Sequence, residues 1–260
     1  MSQLNQYYHR IRNAALTTTL NWITEPTEFG HKGVIRSGHL KGYELTVPSL
    51  ERLAYFRGTY EPHIVEFLQS KIKRGDVVYD IGANCGYLSM LMGKLVSNKG
   101  EVISFEPVPK NVAAIQQNLT KNKVPNVRLI QSAVSDSVGT ITFATYGNSL
   151  IGHIKGVNEK QGADAKFVTM DATTLDASVF ENQLPAPSLI KIDVEGAEEK
   201  VLLGGKRLFE EKKPIVLAEI RKSQFDRILP YMRNFGYECE HLEGGWELNT
   251  SDVGDIAFLA

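Results

Sequence analysis

The sequence predicts an α/β fold: an open, mostly parallel sheet of seven strands that ends in an antiparallel hairpin and follows an N-terminal cap. Three observations predict it. From residue 76 onward, short apolar runs alternate with helical patterns, as parallel strands joined by crossover helices require. A glycine-bearing turn joins the first such run to the first such helix within DVVYDIGANCGYLSMLM (76–92). The closing YECEHL and DIAFLA segments leave no room for a crossover helix, so they pair as an antiparallel hairpin.

Residues 1–60 form the cap, in which GVIRSGHLKGYELTVP (33–48) reads as a hairpin, and residues 61–260 form one compact unit. EPHIVEFLQSKIK (61–73) sets Ile64, Phe67, Leu68 and Ile72 at helical spacing, with Pro62 tolerated in the first turn, so this helix packs on the sheet just before it begins. DVVYDIG is the first strand. A helix through Leu88, Leu91 and Leu95 follows, then the strand EVISFEP, then a helix carrying Val112, Ile115 and Leu119. VRLIQSAV (127–134) supplies the third strand, SLIKIDV (188–194) the fourth and PIVLAEI (214–220) the fifth, with GAEEKVLLGGKRLFEEKK as a helix between the last two. Between the third and fourth strands the pattern breaks. TITFATY and KFVTM read as extra strands, and about 145–166, which holds Gly147, Gly152, Gly156 and Gly162, reads as a mobile loop.

Composition bounds the function. With 260 residues, 42% of them hydrophobic, the chain buries one substantial core, and its net charge of -1 gives no general pull on nucleic acid, so no nucleic-acid partner is expected. Cys85 and Cys239 form no C-x-x-C pair, which indicates neither zinc nor disulfides and suits a reducing cytoplasm. The N-terminus has no segment of signal-peptide type, and no later run reaches the length of a transmembrane span.

In an open α/β sheet, ligands bind beyond the carboxyl ends of the strands, where strand order reverses. There the first strand ends at Asp80 and the second at Glu106. A nicotinamide fingerprint needs glycine at the first, third and sixth positions of the turn; these hold Gly82, Asn84 and Tyr87, which opposes that cofactor. Asp80 followed by Gly82 and Gly86 instead resembles the S-adenosylmethionine loop of class I, Rossmann-like methyltransferases, whose sheet of five parallel strands and a terminal hairpin the pattern also matches. On that reading Glu106, followed by Pro107, accepts the ribose hydroxyls, while Asp80 serves the methionine end. Gly82 lets the backbone approach the ligand closely, the amides opening the next helix hold its carboxylate, and Asn84 is a further donor. Ser132 and Ala133 lie where adenine sits, its amine met by Asp136 or by backbone.

LIKIDVEGAE (189–198) sets Ile190, Ile192 and Val194 on one side of a central strand and Lys191, Asp193 and Glu195 on the other. Ionisable groups on such a strand require compensation or a task, and Glu219 ends the neighbouring strand beside them. Lys191 reads as one half of a buried ion pair. Asp193, at the strand terminus, is placed to orient an ammonium or a substrate hydroxyl, and Glu195 either shares that work or caps the helix after Gly196. A divalent metal on Asp193, Glu195 and Glu219 is the rival arrangement; Lys191 beside them opposes it, and no metal is expected.

Taken in order, GTYEP (58–62), KRGDVVYDIGANCGYLS, FEP, SAVSD, LIKIDVEGAE and PIVLAEI resemble the FkbM family of S-adenosylmethionine-dependent methyltransferases over about residues 55–220. The resemblance implies O-methylation of a hydroxyl on a small-molecule or carbohydrate acceptor: a sugar, glycolipid or natural-product scaffold, with S-adenosylhomocysteine as product. It also puts Tyr60 and Glu61 beside the cofactor. Methyl transfer to an alcohol is an in-line displacement that needs alignment and removal of a proton, for which Asp193, Glu195 and His153 are the candidates. RNA 2′-hydroxyl methylation and a non-catalytic cofactor-binding module are the alternative functions. Trp22 and Trp246 either line an acceptor pocket or anchor the cap.

Overall fold

The computed structural model of the chain describes residues 24–28, 30–48, 53–146, 149–154, 165–242 and 252–260, with no side-chain description over 143–166. Strands β1 (Thr24–Thr27), β2 (Gly30–Val34) and β3 (Glu44–Val47) form a three-stranded antiparallel sheet, so the expected hairpin is present with one further strand. Helices α1 (Ala54–Arg57) and α2 (Pro62–Lys71) follow, and Pro62 opens α2 where an amide hydrogen would lack a helical partner.

The alternation then runs β4 (Val77–Ile81), α3 (Tyr87–Val96), β5 (Glu101–Phe105), α4 (Pro109–Lys121) and β6 (Val127–Ile130). Here the expected third strand divides. Its tail, β7 (Ala133–Val134), leaves the main sheet and pairs with β10 (Ala165–Thr173), which is joined antiparallel to β8 (Gly139–Tyr146), itself paired with β9 (Ser149–Ile154). Part of the expected loop over 145–166 is therefore strand: the ladder from β8 to β9 satisfies backbone groups that a glycine count cannot see.

The second half supplies β11 (Leu189–Ile192), α5 (Glu198–Leu203), α6 (Lys206–Glu211), β12 (Ile215–Arg221), α7 (Lys222–Arg233), β13 (Glu238–His241) and β14 (Val253–Leu259). One helix was expected where α5 and α6 stand. The break falls at Gly204, where a Cβ would lie 2.1 Å from the Ser135 carbonyl oxygen, so the chain passes too close to its neighbour for an unbroken helix of ordinary residues. Helix α7 had no counterpart in the sequence reading.

The main sheet has the order β13-β14-β12-β11-β4-β5-β6, parallel except for β14, which pairs antiparallel with both its neighbours, as the terminal hairpin predicted. Alternate strand residues feed two cores. Val78, Val102, Leu189 and Leu217 pack with α2, α3 and the cap, whereas Tyr79, Ile103, Ile190 and Val216 pack with α5, α6 and α7. From β4 the chain steps outward to β5 and β6, then returns to β11 on the other side of β4. That reversal opens a crevice above the carboxyl ends of β4 and β11.

The cap is pinned to the main domain by two asparagines of α4. Asn118 accepts the Thr46 amide at 2.7 Å and donates to the Thr46 carbonyl at 2.9 Å; Asn122, one turn on, does the same for Glu44 at 2.9 and 2.7 Å. No helix among the described residues is long and apolar enough to cross a membrane.

Candidate active site

The turn after β4 is wound from left-handed residues: Gly82 at φ 81°, Asn84 at φ 53° and Gly86 at φ 79°. The Gly82 and Ala83 amides both donate to the Phe105 carbonyl, at 3.0 and 3.1 Å, which ties the turn to the end of β5. Gly82 itself is required by a close approach. A Cβ there would lie 1.9 Å from the Asp193 carbonyl oxygen, so the glycine admits the end of β11 while also lining the crevice. Gly86 starts α3 against Ile115 and does not line the crevice, a correction to the expected cofactor contacts.

A cavity, partly open to solvent, lies in the crevice. Gly82, Ala83 and Asn84 form its base, Glu106 and Pro107 one end, and Ser132, Ala133, Val134 and Ile141 an apolar flank. Lys191, Asp193 and Glu195 stand at the other end. Tyr55, Tyr60 and Tyr87 make a wall of three rings whose centroids are 4.2 to 5.6 Å apart.

Glu106 is 4% exposed and accepts three bonds: from the Asn84 amide at 2.8 Å, the Val108 amide at 2.9 Å and Asn111 Nδ2 at 3.2 Å. A carboxylate has about four acceptor positions, so one remains for a hydroxyl rather than the pair expected. Burial pushes its carboxyl up to about 7 against the pull of those three donors.

Asp80, expected beside the ligand, is fully buried and does not line the cavity. It accepts from Ser89 Oγ at 2.5 Å and lies 3.4 Å from Lys191 Nζ. The Lys191 ammonium also donates to the Gly82 carbonyl at 3.3 Å and sits 3.6 Å from Asp193 Oδ2. Burial opposes its charge, but Asp80, Asp193 and Glu61 outweigh burial and hold the ammonium above the ordinary lysine range. The buried ion pair expected of Lys191 is therefore present.

A smaller pocket adjoins, lined by Glu61, Lys191, Asp193, Glu219 and Asp255. Glu61, expected in the cofactor site, faces this annex instead. Burial first, then Asp193, Asp255, Glu195 and Glu198, push the Glu219 carboxyl up to about 8. His63 Nε2 lies 2.7 Å from Asp255 Oδ2 at its edge. Among the described residues, no group of three histidine, cysteine or acidic side chains is arranged to hold a metal ion; the carboxylates surround a lysine.

Glu195 lines the cavity and is not the helix cap. The helix has no side-chain cap at Ala197; Glu198, its first residue, reaches back instead, its Oε1 accepting the Gly196 amide at 2.9 Å and the Val194 amide at 3.2 Å and bracing the turn that carries Asp193 and Glu195. Asp136 also stands apart from the cavity, 3.7 Å from Lys200. Ser132 and Ala133 line it as expected, together with Tyr60, Asn84, Pro107 and Asp193. Tyr55, Tyr87, Asn111 and Ile141 were missed, since no local motif marks them. The side chain of His153, and Trp22 and Trp246, lie outside the described residues.

Comparison with known proteins agrees with this geometry. A family model described as the methyltransferase FkbM domain matches residues 80–239. Hexuronic acid methyltransferase AglP of Haloferax volcanii is 28% identical over 193 residues, covering 71% of this chain and 73% of its own. The 31-O-demethyl-FK506 methyltransferase FkbM of Streptomyces tacrolimicus is 31% identical over 160 residues, covering 52% of this chain and 61% of its own. A crystal structure of methyltransferase FkbM from Methylobacillus flagellatus shares the fold, with a TM-score of 0.51 and 17% identity over 78% of this chain and 52% of that one.

Proposed function

Because the chain belongs to the FkbM methyltransferase family and is an S-adenosylmethionine-dependent O-methyltransferase, we propose that its acceptor is a hydroxyl of a sugar, glycolipid or natural-product scaffold. The observation that carries this reading is one cavity with a hydroxyl-accepting carboxylate, Glu106, at one end and the carboxylates Asp193 and Glu195 at the other.

The residues fit such a donor by their chemistry. Glu106 has one acceptor position left for a ribose hydroxyl, and Val134 and Ile141 offer an apolar flank to a purine. When bound, S-adenosylmethionine supplies a methyl group activated by a sulfonium. Asp193, with Oδ2 engaged by Lys191, would orient an ammonium or hydroxyl, and Glu195 would take the proton of the acceptor hydroxyl. Relatives named as methyltransferases of hexuronic acid and of 31-O-demethyl-FK506 support the acceptor class.

The test is incubation with isotopically labelled S-adenosylmethionine and panels of saccharides, glycolipids and hydroxylated natural products, read by mass spectrometry. A labelled methyl on a hydroxyl oxygen, lost in Glu195→Gln with S-adenosylhomocysteine affinity retained, is expected. Methyl transfer confined to nitrogen, or to RNA, refutes the acceptor assignment.

A further inference from the structure

Asp80 and Lys191 stand opposite each other in the register of β4 and β11, the two central strands that flank the crevice. They belong to a polar file that runs through the buried centre of the sheet. Ser104 Oγ donates to Ser89 Oγ at 2.9 Å, Ser89 Oγ donates to Asp80 Oδ2 at 2.5 Å, and Asp80 Oδ1 faces Lys191 Nζ at 3.4 Å. Ser89, Ser104 and Asp80 are completely buried, and Lys191 is 6% exposed. Two apolar side chains of similar size would hold such a core as well or better, because desolvating an ion pair costs about as much as the pair returns. The file is therefore accounted for by what its last member reaches.

Lys191 is the only member of that file at the cavity wall, and it lines both the main cavity and the annex. Its ammonium lies 3.3 Å from the Gly82 carbonyl and 3.6 Å from Asp193 Oδ2. We propose that Lys191 is a positioning residue: anchored by Asp80 and the Gly82 carbonyl, it holds the Asp193 carboxylate at the wall between the two cavities, aimed at the donor. This rests on the proposed function only in taking Asp193 as a group that orients the donor.

Asp80 from β4, Glu61 at the start of α2, Glu219 from β12 and Asp255 from β14, the last bonded to His63, face the Lys191–Asp193 pair; Glu195 and Glu198 face it from the following turn. All but His63 are carboxylates. Lys191 is thus the ammonium that this ring of carboxylates surrounds.

The experiment measures S-adenosylhomocysteine affinity by calorimetry across the acidic pH range for the parent, Lys191→Met, Lys191→Arg and the double variant Asp80→Asn/Lys191→Met. Removing the cation is expected to move the acidic limb of the affinity profile up by about 1–3 pH units, and Lys191→Arg to return it toward the parent's. Lys191→Met leaves Asp80 fully buried and unpaired, which can prevent folding; the double variant removes that buried charge and keeps Asp193, so it decides the matter. An unmoved limb in the folded double variant overturns the proposal while the parent still binds. A parent that binds no S-adenosylhomocysteine overturns the donor site itself.

Discussion

Replacing Gly82 with alanine tests the central contact of the site. A Cβ at this position falls 1.9 Å from the Asp193 carbonyl oxygen, where contacts under 3.0 Å are essentially never found, so the turn and the end of β11 must separate by about 1 Å. Alanine at φ 81° costs about 1–2 kcal/mol for its left-handed backbone. The separation also strains the bond from the Asp193 amide to the Ile81 carbonyl, 3.0 Å in the parent and worth about 0.5–1.5 kcal/mol. Together these amount to about 2–3 kcal/mol, a fall in Tm of roughly 5–10 °C for a chain of this size. Misplacing Asp193 by about 1 Å is expected to slow methyl transfer by roughly 100-fold. Gly42→Ala is the control, because Gly42 shares the left-handed backbone at φ 90° but nothing lies within 4 Å of its Cβ position. Thermal unfolding and S-adenosylhomocysteine affinity of the two variants separate backbone strain from close approach. A Gly82→Ala protein as stable and as tightly binding as Gly42→Ala refutes the reasoning.

Three further outcomes follow from the same geometry. Glu106 and Glu219 hold their protons more tightly folded than unfolded, so the stability they lend is full below about pH 4.5 and is lost as pH rises to about 7 and about 8. Melting of the ligand-free protein should therefore fall in temperature across that window, and Glu219→Gln should flatten its upper part. Glu198→Ala strips acceptors from the Val194 and Gly196 amides and should cost about 1–3 kcal/mol in denaturant unfolding, with methyl transfer reduced further than stability alone requires. Glu106→Gln turns a donor toward one of three donors that now meet acceptors, and calorimetry should find S-adenosylhomocysteine bound at least tenfold more weakly.

The sheet was legible because its strands are short apolar runs separated by helical periods, and these survive any local irregularity. Asp80 was assigned to the wrong partner for a physical reason. Its position at the end of β4 is a matter of sequence, but whether its side chain turns toward the crevice or toward Ser89 depends on a helix residue nine places on and a lysine on another strand. The close approach at Gly82 was hidden for a similar reason, since its neighbour is the backbone of β11, and so was the part of Glu198, which accepts the Val194 and Gly196 amides. Glu106, Ser132, Ala133 and Asp193 were found at the cavity because strand termini at a reversal point all face one opening. The division of the third strand was not foreseeable from VRLIQSAV, since β7 departs only to meet β10, more than thirty residues later.

The pairing of Asn118 and Asn122 with Thr46 and Glu44 matches two different repeats. Four residues of helix advance about 6 Å and two residues of strand about 6.6 Å, so consecutive helical turns can serve as a surrogate neighbour strand. A slide of β3 by one residue would present side chains where amides and carbonyls are needed and strand all four bonds at once. The cap therefore has a single permitted register on the domain that bears the crevice, and the β3 edge of its sheet is occupied by helix side chains rather than left for another strand.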